Sequence, residues 1–507
     1  MSVSLAAAEG APAGTERALI LVSVIMATML YATTLTIANV ALPQMQGDLS
    51  ASIDQISWVL TFNIVATAIA TPPTGWLAAR LGRRPLLIGA VAGFTVSTIL
   101  CGLATSLPEL ILWRTLQGMF GAPLVPLSQA ITLDVYPRQQ HGTATALWGM
   151  GVMLGPILGP TIGGYMTELY DWRWVFFVVA PFGVVALLGC IAFVPDGGRQ
   201  EGRRLDWLGF AALSVAVAAT QLMFDRGQRQ DWFASEEIVL WAVLAAGGYY
   251  LFVVHSATAE RPFFPPRMFL DRNFVVGLIL MFVFGLLVFV PMVLIPTMLE
   301  GLGGYPVIMI GLLLAPRGIG NLIAMIACGR LVAHVDQRLM LAAGFFAQGV
   351  STWMMAGFSL ETGVWQVFWA SLLQGFAVGV MFIPLTIITF ATLPQAYRTD
   401  GTSLFHLLRN IGSSIGISLA VTYLTRSTQH SRAELALHAS PFNDILALSG
   451  ADGFWDLASV EGVAALAREI DRQAEMIAYV NDFWLMTLLA FASIPLILLA
   501  TRQRAAA

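Results

Sequence analysis

Two stretches, Gly75-Trp-Leu-Ala-Ala-Arg-Leu-Gly-Arg-Arg84 and Gly329-Arg-Leu-Val-Ala-His-Val-Asp-Gln-Arg338, read as two copies of one segment. Each closes a long apolar run with a short basic turn, and the copies stand 254 residues apart. A chain that carries the same turn twice between apolar runs points to a duplicated bundle of membrane helices. Duplicated bundles are the architecture of secondary transporters.

The composition agrees. Of 507 residues, 57% are hydrophobic and 11% charged, with mean hydropathy +0.76; a soluble protein carries roughly 25% charged residues. Apolar runs of about 20 residues suit membrane-spanning helices. Fourteen begin near Ala18, Gln55, Pro85, Leu107, Gly142, Arg173, Leu205, Glu236, Asn273, Pro306, Leu339, Val364, Gly401 and Val480. The chain has no lysine, so all 26 basic residues are arginine. With the N-terminus inside, sixteen fall in cytoplasmic segments (Arg17, Arg80, Arg83, Arg84, Arg138, Arg199, Arg203, Arg204, Arg261, Arg267, Arg272, Arg330, Arg338, Arg398, Arg502 and Arg504). Three, Arg173, Arg226 and Arg229, fall in short outer loops. This is the positive-inside bias, and an even span count predicts both termini in the cytoplasm. The start of the chain lacks the basic region of a cleaved leader, so the first run is expected to remain as a span.

Several functions are excluded. A nucleotide-binding P-loop and a Schiff-base chromophore both need a lysine. No His-Glu-x-x-His, Cys-x-x-Cys or Gly-x-Ser-x-Gly pattern occurs, so no enzyme, metal site or cofactor is expected, and no nucleic-acid partner. Cys101, Cys190 and Cys328 fall within spans and imply no disulfide framework. Transport driven by an ion gradient is the default that remains.

The repeat continues past the basic turn. Leu116-Gln117-Gly118 recurs as Leu373-Gln374-Gly375, Pro126-Leu127-Ser128 as Pro384-Leu385-Thr386, and Gly142-Thr143 as Gly401-Thr402. Six helices with short loops need about 200 residues, so the excess of about 55 corresponds to two extra spans between the copies. The predicted fold is an all-α polytopic membrane protein of 14 transmembrane helices arranged 6+2+6. Its parts are a cytoplasmic N-terminus (1–17), a first six-helix bundle (18–194), an inserted pair with linkers (195–272), a second bundle (273–500) that includes an outer loop (426–479), and a cytoplasmic C-terminus (501–507).

These residues also carry a resemblance. Thr36-Ile-Ala-Asn-Val-Ala-Leu-Pro43, Gly75–Arg84, Arg114-Thr-Leu-Gln-Gly118 and Asp225-Arg-Gly-Gln-Arg-Gln-Asp-Trp-Phe233 together resemble the major facilitator superfamily. Within it, the chain is most similar to the fourteen-span drug:proton antiporter group of EmrB/QacA type, above all to EmrB-like export proteins. The resemblance implies the major facilitator fold, alternating access and proton-coupled export. It also implies gating roles for Gly75, Arg80, Gly82, Arg83 and Arg84. EmrB-like members resemble components of three-part systems, which implies a periplasmic membrane-fusion adaptor and an outer-membrane channel as partners.

Gly151, Gly155, Gly159 and Gly163 recur every four residues, with Pro156 among them, and clear one helix face for close backbone approach. Tight packing accounts for the stripe on physical grounds alone. Its likeness to the exporters' antiporter motif implies the surface on which the halves rock. Gly412-Ser-Ser-Ile-Gly416 is a shorter counterpart.

Arg114, Arg317 and Arg409 lie well inside spans, where a central charge costs roughly 2.5–3.5 kcal/mol and is expected to face the interior. Arg114 resembles the family's proton-coupling arginine; its plain alternative is binding backbone carbonyls. Acids are scarce. EmrB-like pumps have a membrane Asp where this chain has Thr34, and the acidic position of the basic turn is Ala79, with Ala333 in the second copy. No Asp or Glu is expected near the centre of a span, and Glu109, Glu300 and Asp134 read as solvated helix ends. His406, with an ordinary pKa of about 6.5, is the expected titrating group, one turn from Arg409. A buried structural histidine is the alternative.

Thr34, Asn39, Trp148, Phe284, Met292, Arg317, Met325, Phe376, Met381 and Phe382, with Phe289, are the candidate lining of a substrate cavity. Aromatic and thioether side chains accept varied apolar molecules, though the same residues also serve packing and lipid contact. Few cavity carboxylates favour neutral, weakly acidic or amphipathic compounds. In the outer loop, Val463, Leu466, Ile470 and Ile477 recur at helical spacing opposite Arg468, Asp471, Arg472 and Glu475, either as an adaptor-docking face or as a lid. The expected function is proton-coupled efflux of amphipathic compounds. The alternatives are an exporter dedicated to one metabolite, such as a siderophore or fatty acid, and a non-transporting sensor or channel.

Overall fold

The computed structural model describes residues 14–137, 140–196, 205–332, 334–439 and 459–500, and every regular element among them is helical. Arg138, Arg199, Arg203, Arg204, Ala333, Arg502 and Arg504 lie outside the described residues.

The first bundle comprises α1 (Gly14–Asp48), α2 (Ile53–Ala70), α3 (Thr74–Leu81), α4 (Arg83–Leu103), α5 (Leu107–Gly121), α6 (Leu124–Val135), α7 (His141–Leu169), α8 (Trp174–Phe177) and α9 (Ala180–Phe193). The inserted pair is α10 (Trp207–Gly227) and α11 (Glu236–Thr258). The second bundle comprises α12 (Arg272–Gly301), α13 (Val307–Leu331), α14 (Gln337–Ala356), α15 (Val364–Phe390), α16 (Arg398–His438) and α17 (Val460–Ser493). Eleven described helices are long and apolar enough to cross a membrane, or twelve with α2 and α3 taken as one bent span. The α5–α6 pair and the 29-residue α7 occupy the other two predicted spans, which is consistent with fourteen.

Local chemistry explains the interruptions. Pro72 and Pro73 remove backbone donors between α2 and α3, and the axis turns by 56°. Gly82 then joins α3 to α4 at φ 93°, a conformation that a side chain would strain. Pro123 separates α5 from α6 in the same way.

The duplication is visible in packing. Helix α1 packs on α7 and α9, α5 on α2 and α4, and α4 on α9; the second bundle repeats this with α12 on α16 and α17, α15 on α13 and α14, and α14 on α17. A Cβ at Gly118 of α5 would strike the Asn63 carbonyl of α2, and one at Gly375 of α15 would strike the Arg317 carbonyl of α13. Asn63 and Arg317 are again 254 residues apart.

The inserted pair lies to one side. Helix α10 packs on α2 of the first bundle and α16 of the second, and α11 packs on α10. Thr61 donates to the Asp225 carboxylate at 2.5 Å and Arg229 to the Ser57 hydroxyl at 2.8 Å, while Ser418 donates to the Phe224 carbonyl at 2.6 Å.

One expectation is corrected. The glycine stripe does not face the second bundle: side chains at Gly151, Gly155, Gly159 and Gly163 would meet Ile25, Thr33, Thr36 and Ile37 of α1. The face of α7 turned to α13 carries Gly142 and Gly149 instead, against Val332 and Met325. The outer loop is helical at Val463, Leu466, Ile470 and Ile477, as their spacing predicts. It is the continuation of α16 to His438 and of α17 back to Val460, joined by Arg432 and Asp471 at 2.8 Å. Finally, Asp482, close to the start of the last predicted span, is fully buried within α17.

Candidate functional site

The two bundles meet through residues that begin at the arginine-rich face, the face of the basic turns. Asp134, at the last turn of α6, is paired with Arg83 at the start of α4 and with Arg398 at the start of α16, the latter at 2.8 Å. Gln395 approaches the same carboxylate at 3.5 Å. Asp134 is therefore no solvated helix end: its side chain is 15% exposed and it ties three elements together. Glu109 behaves as expected, accepting from the Thr105 backbone at an exposed helix start.

Around this pair the contacts are close. Asp400 of α16 lies where a Gly75 side chain would have to be, so the first glycine of the basic turn is sterically required. Thr402 donates to the Pro126 carbonyl at 3.2 Å, and Thr143 to the Gly329 carbonyl at 3.3 Å. The acid missing at Ala79 is thus supplied from other elements, by Asp134 and Asp400. Arg84 does not join this set; it pairs with Asp196 and the Ile191 carbonyl beside α9. Arg80 lies over the Trp76 ring at 5.3 Å.

One layer deeper, His406 of α16 meets Gln129 of α6, with Nε2 and Oε1 2.5 Å apart. The Trp148 ring of α7 lies 6.2 Å from His406 and stacks on Phe382 of α15 at 6.1 Å, and Phe284 of α12 adjoins Phe382 at 6.0 Å. Met325 reaches Gly149. Trp148, Phe284, Met325, Met381 and Phe382 are each at most 2% exposed. Five of the predicted cavity residues are therefore brought together, as a buried aromatic and thioether plug between the bundles. An aromatic plug of this kind closes a path without forming bonds that are costly to break.

The remaining candidates lie around the plug. Thr34 is buried and donates to the Leu30 carbonyl at 2.7 Å, and Asn39 is exposed farther along α1. Met292, Phe289, Phe376 and Arg317 are part-buried, and Arg317 donates to the Val288 carbonyl of α12 at 2.9 Å. Arg114 is buried and donates to the Val59 carbonyl at 3.3 Å and to Gln117 at 2.6 Å. Arg409 lies within electrostatic reach of His406, yet directs its hydrogen bonds to Asn410. Tyr31 of α1 is within reach of both Arg114 and Arg409, which links the two bundles' buried cations.

Sequence reasoning missed Gln129, Arg398 and Asp482. Gln129 was legible as the lone amide in Pro126-Leu-Ser-Gln-Ala-Ile131, whereas Arg398 read as one more loop arginine.

The comparisons with known proteins converge. The sequence profile of the Major Facilitator Superfamily matches residues 24–417. The chain is 34% identical to the multidrug export protein EmrB of Escherichia coli (strain K12) over 476 residues, 93% of each chain. It is 33% identical to the fatty acid resistance protein FarB of Neisseria gonorrhoeae over 413 residues, 81% of each. Among solved structures, the proton:xylose symporter XylE aligns with TM-score 0.59 at 12% identity, covering 95% of this chain and 96% of that one. The human organic anion transporter MFSD10 aligns with TM-score 0.58 at 15% identity, covering 94% and 100%. With the repeated packing of the two bundles, these matches establish that the chain belongs to the major facilitator superfamily.

Proposed function

We propose that the protein is a proton-coupled exporter of amphipathic compounds that works by alternating access in the bacterial inner membrane. The observation that carries this reading is the layered closure between the bundles, from the Asp134–Arg398 ion pair to the Trp148–Phe382 plug. It sits in a chain whose relatives are named for multidrug export and fatty acid resistance. The arginine excess supports placing the closed face at the cytoplasm, so the conformation reads as one closed to that side. Both termini then lie in the cytoplasm, and the parts are 18–194 and 273–500 as the moving bundles with 195–272 beside them.

In the cycle, the substrate path opens on one face while the layered contacts hold the other. Thr34, Asn39, Met292, Phe376 and Arg317 contact the substrate, and Trp148, Phe284, Met325, Met381 and Phe382 separate to admit it from the cytoplasmic side. Arg317 and Arg409 with few nearby acids favour neutral or acidic amphiphiles. His406, with Arg409 setting its electrostatic surroundings, is the proposed coupling group at the seam, with Arg114 as a second candidate deeper in the first bundle. The α16–α17 projection, which exposes Leu437, Val460 and Val463, is the proposed docking point of a membrane-fusion adaptor.

Reconstitution tests the reading. Purified protein in liposomes is expected to accumulate dansyl-undecanoate or ethidium uphill when a pH gradient is imposed, and to lose accumulation when the gradient is collapsed. Equilibration of both probes at equal rates with and without a gradient would falsify it.

A further inference from the structure

We propose that Asp482 is a proton-binding site of the second bundle, loaded from the face opposite the arginine-rich turns through Tyr479 and Glu475. The inference rests on the proton-coupled reading and supplies a carboxylate that the first bundle lacks.

Asp482 has no exposed surface, and neither of its carboxylate oxygens has a hydrogen-bond partner. Buried polar groups are almost always paired, and a buried ionised carboxylate is costly unless it meets a cation or donors. The elements packed around α17 provide no cation. Helix α14 carries one charged residue, Arg338 in its first turn, and α12 carries Arg272 at its start and an exposed Glu300 at its outer end. Asn481 of α17 marks the level by donating to Ser427 of α16 at 3.0 Å; Tyr423, Arg426 and His430 of α16 near that level are all exposed. Arg409 lies deeper and points to Asn410. The titratable groups that face Asp482 are on its own helix.

Those groups form a row. Glu475, Tyr479 and Asp482 follow at spacings of four and three, which places them on one face of α17 over about 10 Å. Tyr479 is within electrostatic reach of both acids, and its hydroxyl donates to Thr297 of α12 at 3.2 Å. Burial deepens along the row: Glu475 is part-buried, Tyr479 is 2% exposed and Asp482 is sealed. A graded set of exchangeable groups leading to an orphan carboxylate is the arrangement that a proton site needs.

The duplication argues against a packing role. In the second bundle Thr487 of α17 bonds Thr352 of α14 at 3.0 Å; in the first, Gly183 of α9 lies against Thr95 of α4. Five positions before Gly183 the chain has Val178, followed by Val179, where α17 has Asp482. At the related place, between α8 and α9, the first bundle thus has only apolar residues, part-buried Val178 and buried Val179.

The chemistry is a single reversible transfer. The Asp482 carboxylate gains one proton from water at the outer face and becomes a neutral acid; the reverse step returns the carboxylate and a proton. No bond between heavy atoms changes.

The test uses the full-length protein in liposomes and in detergent. Infrared titration with carbon-13-labelled aspartate is expected to show a protonated-carboxyl band in the wild type that D482N removes. D482N, which is nearly isosteric, is expected to keep downhill equilibration of dansyl-undecanoate within twofold and to lose at least tenfold in pH-driven accumulation. Y479F and E475Q are expected to slow stopped-flow proton uptake at least threefold. Retention of the carboxyl band in D482N, or accumulation within twofold of wild type, would overturn the assignment. If the wild type itself accumulated neither dansyl-undecanoate nor ethidium, the exporter reading would fall, while the infrared band would still decide Asp482.

Discussion

Arg398 opens α16 of the second bundle and sits 2.8 Å from Asp134, which closes α6 of the first, so one carboxylate holds the two halves at the arginine-rich face. Arg83 of the first bundle shares that carboxylate, and the pair is therefore a three-element tie rather than an isolated surface bridge.

Neutralising Asp134 leaves two arginines facing one another. D134N is expected to shift the equilibrium toward opening at this face by about 1–3 kcal/mol, a typical coupling between sites. Thr402 is fully buried at the seam, and Cys101, Cys190 and Cys328 are buried, so a Thr402→Cys probe has a low background. Maleimide labelling of that probe in inside-out vesicles is expected to rise at least fivefold with D134N.

The glycines divide by what a methyl group would meet. At Gly285 it would strike the Arg409 carbonyl, and at Gly375 the Arg317 carbonyl, both backbone atoms that cannot swing aside. At Gly89 it would meet nothing within 4 Å. Overpacking costs about 1–3 kcal/mol, while alanine in an open helical position gains roughly 0.5–1 kcal/mol. G285A and G375A are expected to lower the melting temperature in detergent, and G89A to leave it unchanged or raise it.

The duplication and the inserted pair were legible because spacing survives sequence drift: the basic turn and the Asn63 and Arg317 contacts keep one 254-residue offset. What faces what was not legible. The stripe from Gly151 to Gly163 fixes which side of α7 is smooth, but only the bundle geometry decides that α1 lies there rather than α13. Asp134 was misread, and Asp482 passed over, for a related reason. Hydropathy locates an acid along a span, not the partners or the enclosure that three-dimensional packing gives it. Of the predicted lining, Trp148, Phe284, Met325, Met381 and Phe382 do gather, because large apolar side chains facing the interior of two bundles must meet when those bundles close.

His406 gives a pH dependence with a definite sign. Its Nε2 meets Gln129 across the seam, and its Nδ1 has no hydrogen-bond partner. Protonation places a second positive charge near Arg409 in a site without a paired acid, so the closed seam becomes costlier as pH falls through the ordinary histidine range near 6.5. Labelling of the Thr402→Cys probe is expected to increase from pH 8 to about pH 5.5. H406Q is expected to flatten that curve while keeping a side chain able to bond Gln129. An unchanged curve in H406Q would remove His406 from the coupling scheme.

The inserted pair reaches both bundles through one short stretch. Phe224 and Trp232 engage α16 through Ser418 and Thr422, at 2.6 and 3.1 Å. Asp225 and Arg229 engage Thr61 and Ser57 of α2, while Arg226 lies over the Trp58 ring at 4.5 Å. This stretch therefore bridges α2 and α16 at the end away from the arginine-rich turns, where it is expected to limit their separation. Each lost hydrogen bond is worth about 1 kcal/mol net. D225N combined with W232F is expected to lower the melting temperature and to broaden the distance distribution between spin labels at exposed Phe62 and Tyr423. V243S on the exposed face of α11 changes surface polarity without touching that stretch, and it is expected to leave the distribution as in the wild type. Equal distributions in all three proteins would show that the pair merely flanks the bundles; broadening confined to D225N/W232F would show that it restrains them.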